Sequence, residues 1–432
     1  MSLLKTIFLK SRSSFHTYTT EMPLQKAAAS EDLPPVDIKP LLAKMWPNDD
    51  RVTADEIADA VSHLFTNQVT PAQTASLLIA LHFTQMDFQP EVLAKCAAAM
   101  LRAAAPIPVE ELNAVISKRG HKEGKYEGGL CDIVGTGGDS HNTFNISTTA
   151  SIIGSALILV SKHGNKASTS KSGSADLIAN MRPRAPVVAA VTPENLAKVY
   201  ANSNYSFLFA PLFHTGMRYV APIRKELPWR TIFNNVGPLA NPVEDVLECR
   251  VIGVGRKDLG PAFAEALRSV GCRKAMIVCG DEDLDELSCA GKSHCWMLKE
   301  KTPGGDIYVD YFTVKPSDFG VSSHALTEVS SGMEPEENAM ILERILHGKM
   351  PDNDPLIEFV LINAAALFVV SGICEADLSS MGVGDDGEVI TERGPGGQRW
   401  KEGVRRAKWA IHSGEAWKQW SAFVNITNEL GA

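Results

Sequence analysis

Residues 132–176 read DIVGTGGDSHNTFNISTTASIIGSALILVSKHGNKASTSKSGSAD, two glycine-bearing polar loops on either side of an apolar segment. The first loop is Gly135-Thr136-Gly137-Gly138-Asp139, followed by Asn145-Ile146-Ser147-Thr148. The second is Lys162-His163-Gly164-Asn165, followed by Ser172-Gly173-Ser174-Ala175-Asp176. Small residues let a backbone approach a ligand closely, and a glycine turn that opens a helix presents free N–H groups to a phosphate. Asn145, Ser147 and Thr148 add side-chain hydrogen bonds, and Lys162 adds a point charge. Either loop alone is compatible with a sharp turn of an α/β protein. Their pairing around a helix-length segment favours a phosphorylated substrate. Neither is a G-x-G-x-x-G dinucleotide fingerprint or a G-x-x-x-x-G-K-[ST] loop.

The flanking pattern sets the fold class. Leu130–Val134 reads as a strand entering the first loop, Thr148–Leu157 as a helix, and Ile158–Ser161 as a second strand ending at Lys162. Strand, loop, helix, strand is the unit of a mostly parallel sheet, with ligands at the carboxyl ends of its strands. Further strands are expected at 247–254 and 274–279, with a β-rich stretch at 299–323. Helices are expected at 260–270, 336–346 and 356–370, a long loop at 382–397, and a closing helix with Trp409 and Trp417.

Upstream, the signals are helical. Ile38, Leu41, Leu42 and Met45 fit one face, and Thr53 with Glu56 forms a capping box ahead of Ile57, Val61 and Leu64. Thr70-Pro71-Ala72-Gln73 repeats that logic, with Gln73 expected to reach back to Thr70. Gln89-Pro90-Glu91 opens a fourth helix to Ala103. The expectation is an α/β protein: a small all-helical N-terminal domain hinged to a larger α/β domain with a central, mostly parallel sheet. The expected boundaries are a flexible extension at 1–34, a helical domain at 35–104 and an α/β domain at 105–432. Residues 193–235 read as helical and loop-like, and a segment within them completes the helical domain. Residues 117–129, SKRGHKEGKYEGG, read as exposed and flexible.

The first twenty residues carry Lys5, Lys10 and Arg12, and no acid precedes Glu21. That composition suits a mitochondrial or plastid transit peptide, or an extension ahead of an internal start at Met22 in a cytoplasmic protein.

Composition narrows the function classes. A net charge of -9 argues against nucleic acid, which needs concentrated positive charge. It leaves room for an anionic small substrate in a local basic pocket. No apolar run reaches the ~18 residues of a membrane span. The 8 cysteines include no C-x-x-C, and Cys289, His294 and Cys295 form no zinc pattern, so reduced buried thiols are expected.

Two other clusters carry chemistry. The acidic run Asp281–Glu286 follows a strand, and adjacent carboxylates there can hold Mg²⁺ with water and substrate phosphates; a solvated turn is the alternative. Position weakly favours Asp285-Glu286 over Asp281-Glu282. His214 and Arg224 precede NNVGPLANP, residues 234–242, whose Gly-Pro and Asn-Pro pairs suggest a rigid crossing between domains. Arg224 suits a bidentate clamp on a substrate carboxylate, or a surface ion pair. No spacing suggests a covalent nucleophile.

Taken together, GTGGD, NIST, KHGN, SGSAD, the Arg224 segment, GPLANP and the DELS at 285–288 resemble the anthranilate phosphoribosyltransferase family over about residues 36–425. Pyrimidine nucleoside phosphorylases share the two-domain plan and a GTGG-like loop but not the full set. The resemblance implies a magnesium-dependent transfer of the phosphoribosyl group of 5-phosphoribosyl 1-diphosphate (PRPP) to the amine of anthranilate, by a homodimer joined through its helical part. It implies that Gly135, Gly138, Asp139, Thr143, Asn145, Ser147, Thr148, Lys162 and Ser174 bind PRPP. Asn165, His163, His214 and Arg224 would meet anthranilate, and Ser147, Asp285 and Glu286 the magnesium ions. Departures from the family pattern are Ser140, His141, Lys166 and Thr169-Ser170, with longer segments at 113–130 and about 293–310.

Overall fold

The computed structural model describes residues 33–46, 51–137, 139, 141, 143–167, 171–329 and 334–432. Seven strands form one sheet: β1 (Leu130–Gly135), β2 (Leu159–Gly164), β3 (Tyr205–Phe209), β4 (Leu247–Gly253), β5 (Ala275–Gly280), β6 (Ser293–Glu300) and β7 (Ile307–Val314). Their order is β3-β2-β1-β4-β5-β6-β7. The first five strands in that order run parallel, and β6 and β7 extend the sheet as an antiparallel hairpin. The carboxyl ends of β1 to β5 therefore share one edge, as expected for an α/β ligand site.

Both faces of the sheet are covered. Val251, Met276 and Val278 join one core, and their neighbours Ile252, Ile277 and Cys279 join the other, the alternation of a strand buried on both sides. The first core is filled by helix Pro355–Ser371, buried along nearly its whole length. Its sequence is apolar all round and carries no amphipathic period. The second core includes helix Leu259–Ser269 and the N-terminal helices Lys39–Met45, Ala54–Leu64, Pro71–Phe83 and Pro90–Arg102.

The capping box is formed: the Thr53 side chain accepts from Glu56 N–H at 3.2 Å, and Glu56 accepts from Thr53 N–H at 3.0 Å. Gln73 does something else than expected. Thr70 caps alone, while Gln73 Oε1 accepts from Ile38 N–H at 2.8 Å and ties the first helix to the third.

Four expectations are corrected. Residues 193–235 contain a strand, β3, which is buried throughout and pairs with β2. Residues 117–129 are largely exposed, as expected, but they are tied to the body of the fold. Helix Val109–Arg119 runs into them, Glu123 pairs with Tyr126, and the buried Tyr126 hydroxyl accepts from Leu159 N–H at 2.9 Å. The Gly237-Pro238 pair lies inside helix Ile232–Leu239, not in a crossing loop. The chain closes with two helices, Trp400–His412 and Glu415–Leu430, separated at Gly414 with φ 76°.

Candidate active site

The first loop leaves β1 at the sheet edge and returns as helix Ile146–Gly154, so Asn145, Ser147 and Thr148 fall at that helix's start. The second leaves β2 at Gly164 and re-enters helix Ser174–Ala179. Side chains stitch the two together. Thr148 Oγ1 donates to Ser174 Oγ at 2.8 Å, and Asn145 Nδ2 donates to the Ser172 carbonyl at 2.9 Å. Asp176 accepts from Gly173 and Ala167 N–H at 3.1 and 2.8 Å, which joins these two backbone positions at the start of its helix.

The acidic run is brought onto the first loop. Gly137 N–H donates to Asp285 Oδ2 at 2.6 Å across 148 residues of chain, and Thr143 Oγ1 donates to Glu286 Oε2 at 3.2 Å. Asp285 N–H donates to Asp139 Oδ2 at 3.4 Å. The approach depends on missing side chains. A Cβ on Gly253, at the end of β4, would lie 1.5 Å from the Asp285 carbonyl oxygen, and one on Gly135 2.3 Å from Asp285 Oδ2. Asp281-Glu282 point elsewhere: Asp281 pairs with His294 at 2.9 Å, and Glu282 accepts from Ser288.

Electrostatics mark the pair. Burial, then the charge of Asp139, pushes Asp285 up to about 7. Burial and the charges of Asp285 and Asp139 raise Glu286 well above the carboxylate range. Lys162 is buried below them. Desolvation lowers its pKa against the pull of Asp132, Asp285 and Glu286. Crowded hard-oxygen donors that are driven toward protonation fit a divalent cation. Among the described residues no three such side chains close a preformed metal cage.

His163 and His214 are both buried with ring centroids 5.2 Å apart, so the end of β2 meets the turn before helix Met217–Glu226. Arg224, in that helix's last turn, is half-buried and donates to Asn234 Oδ1 at 3.0 Å. Asn165 is exposed, and its Oδ1 accepts from Lys166 N–H at 2.8 Å. Gly138, Ser140 and Thr169-Ser170 lie outside the described residues. Ser147 is half-buried in the first turn of its helix.

Sequence reasoning missed three residues. Asn241 is buried and donates to Asp132 Oδ2 at 2.9 Å and to the Ser161 carbonyl at 3.1 Å, locking β1 to β2 below the loops. Gly253 admits Asp285, and Arg230 grips the first loop. Only Asn241 had a signal, its place in GPLANP.

The two histidines give a pH prediction. Burial pushes His214 down to about 4 from 6.5, and burial with the nearby His214 and Lys162 holds His163 well below 6.5. A folded-state value below the unfolded one means the folded protein holds the ring neutral. Its contribution is full above 6.5 and is lost as pH falls toward 4, up to about 3 kcal/mol for His214. The thermal midpoint of His214→Gln should therefore fall less steeply with acid than that of the unsubstituted protein. Identical slopes would exclude His214 as a contributor.

Known proteins place this arrangement. The α/β domain model of the glycosyl transferase family matches residues 127–417, and the helical bundle domain model of that family matches 39–104. Anthranilate phosphoribosyltransferase of Schizosaccharomyces pombe is 37% identical over 371 residues, 86% of this chain and 91% of its own. The Saccharomyces cerevisiae enzyme, solved in complex with PRPP and Mg, superposes with a TM-score of 0.71 at 32% identity, covering 90% of this chain and 97% of that one. Its complex with 4-fluoroanthranilate gives 0.71 at 30%, covering 90% and 96%. The Thermus thermophilus enzyme gives 0.68 at 30%, covering 90% and 99%. Sharing both domain models and nearly the full length of these relatives, the chain belongs to the anthranilate phosphoribosyltransferase family.

Proposed function

We propose that this chain transfers the phosphoribosyl group of PRPP to the amine of anthranilate, giving N-(5-phosphoribosyl)anthranilate and pyrophosphate, with Mg²⁺ as cofactor. The observation that carries the reading, beside family membership, is the Gly137–Asp285 contact at 2.6 Å. It joins a phosphate-type loop and a carboxylate pair that the sequence keeps far apart.

The first loop and the start of helix Ile146–Gly154, from Gly135 to Thr148 with Asp139 and Thr143, hold the diphosphate and ribose phosphate. Gly138 belongs to the same motif. Lys162 and Ser174 close the phosphoribosyl side. Ser147, Asp285 and Glu286 hold the metal, which when bound neutralises the departing pyrophosphate. Arg224 takes the anthranilate carboxylate by turning from Asn234, Asn165 orients the ring, and the buried His163–His214 pair lines its approach. The aryl amine is neutral near pH 7 and attacks the ribose C1 from the face opposite the leaving group. No strong base is required, and catalysis rests on alignment and preorganised charge.

The helical domain comprises 35–104 and is completed by part of 193–235. Its support is the shared core of Val220, Phe233 and Val236 with Leu77, Leu81 and Leu93. The α/β domain is the rest of 105–432, after an extension at 1–34, and the helical domain closes over the cleft and joins two copies. No helix among the described residues is long and apolar enough to cross a membrane. The reading places the protein in the cytoplasm, or in mitochondrion or plastid if the extension is a transit peptide.

Loss of anthranilate fluorescence only when PRPP and Mg²⁺ are both present tests the reaction. No loss under any metal would defeat it. Arg224→Ala should raise the KM for anthranilate by about tenfold or more, while that for PRPP moves little. Equal changes in both would remove Arg224 from the acceptor site.

A further inference from the structure

We infer that Arg230 is the positioning residue that aims the diphosphate-binding N–H of the first loop, an inference that rests on the proposed reaction. Arg230 Nη2 donates to the Thr136 carbonyl at 3.0 Å, and Nη1 donates to the Gly137 carbonyl. The Thr136 carbonyl and the Gly137 N–H belong to one peptide unit. In a trans peptide these two groups point in opposite directions. The unit is therefore held at both ends, by guanidinium at its oxygen and by Asp285 at its hydrogen, the latter at 2.6 Å. Fixing the carbonyl fixes where the N–H points. A diphosphate oxygen that takes the place of the Asp285 carboxylate meets a donor already aimed at it.

The grip depends on the planar fork of arginine. Two successive carbonyls are engaged by two nitrogens of one guanidinium, a geometry a lysine ammonium on its flexible stem does not reproduce. Thr136 is otherwise held by β4, donating its N–H to the Gly253 carbonyl at 2.9 Å and accepting from Gly255 N–H at 3.2 Å. Arg230 reaches the carbonyls of both Thr136 and Gly137 from outside the sheet, and Asp285 reaches the Gly137 N–H.

The same segment serves the acceptor side. The residue after Arg230, Thr231, donates its N–H to Asn234 Oδ1 at 3.0 Å, and Asn234 Oδ1 also accepts from Arg224. Two arginines six positions apart thus reach opposite parts of the site from one turn. Arg230 also lines a cavity of about 310 Å³ with Trp229, Phe88 and Asp87, which gives a small cation access to its place.

The test compares Arg230→Ala and Arg230→Lys with the unsubstituted protein. Steady-state rates are measured in both substrates, and pyrophosphate binding with Mg²⁺ is measured by calorimetry. We expect KM for PRPP and Kd for pyrophosphate to rise about 10- to 100-fold in the alanine variant, with KM for anthranilate within about twofold. Lysine should recover only a small part. Guanidinium ion added below denaturing concentration should restore activity to the alanine variant and not raise that of the parent. A parallel rise in both KM values, unchanged pyrophosphate binding, or full recovery with lysine would each overturn the inference. If the alanine variant does not fold, the lysine variant carries the same comparison. Absence of turnover by the parent would count against the proposed reaction, and the pyrophosphate measurement would still read Arg230.

Discussion

Asp285→Asn is expected to lower kcat on the order of 10²- to 10³-fold at saturating substrates while leaving the metal-free protein at least as stable at pH 8. The two halves of this result have one cause. In the folded protein Asp285 is buried beside Asp139, which pushes its carboxyl up to about 7 from 3.8. A folded-state value above the unfolded one means the favourable contribution is present below 3.8 and is lost as pH rises through about 7. At pH 8 without a divalent cation the site holds buried like charges, and a neutral amide relieves them. Its oxygen still accepts from Gly137 N–H, so the loop keeps its shape. With Mg²⁺ and PRPP the balance reverses. The parent gains stability because ligands bind the folded state, and the variant loses most of that gain along with its rate. Thermal midpoints in chelator and in Mg²⁺ with PRPP, beside kcat, read both halves. A variant with parental kcat, or one destabilised equally in both media, would remove Asp285 from the metal site.

What the sequence made legible was local. The glycine loops, the capping box and the acidic run each carry their pattern within a few residues, so the sheet edge and the loops that leave it were readable in order. What could not be read was pairing at a distance. Asp285 was preferred to Asp281 only by position. The reason emerges with Gly137, in the loop after β1, and Gly253, at the end of β4, beside it. Tyr205–Phe209 was read through as part of a helical stretch because a strand buried on both faces has no alternation to reveal it. Residues 117–129 read as solvated because of their charges. The structure leaves most of those charges exposed, pairs Lys122 with Glu127 within the stretch and Glu123 with Arg406 at 2.7 Å, and buries Tyr126 among them. Arg230 left no sign at all, since its partners are backbone carbonyls, which every sequence has. The same holds for Gln73, whose partner is a backbone N–H one helix away.

Gly253→Ala should cost about 10²-fold in kcat/KM and 1–3 kcal/mol of stability, although it adds a single methyl group. Gly253 shows none of the positive φ values that mark strained glycines in this chain, so alanine suits its backbone. The conflict is space. The new Cβ would stand 1.5 Å from the Asp285 carbonyl oxygen and 2.4 Å from its carbonyl carbon, both backbone atoms that no rotamer change can move. Either β4 withdraws from β1, where Gly253 registers with Gly135, or the acidic loop lifts off the sheet edge. The loop is the softer of the two, and lifting it carries Asp285 away from Gly137 and Glu286 away from Thr143. Gly135→Ala should do less, because its Cβ meets the Asp285 carboxylate at 2.3 Å, the movable end of a side chain. Gly291→Ala is the control, since nothing beyond its chain neighbours lies within 4 Å of its added carbon and its φ is not positive. The order expected in kcat/KM is therefore Gly253→Ala lowest, Gly135→Ala between, and Gly291→Ala near the parent. Mg²⁺ affinity should fall in the same order. If Gly253→Ala kept parental activity and Mg²⁺ affinity, Asp285 would not be seated against the end of β4 during turnover. The assignment of metal binding to this loop would then have to be given up.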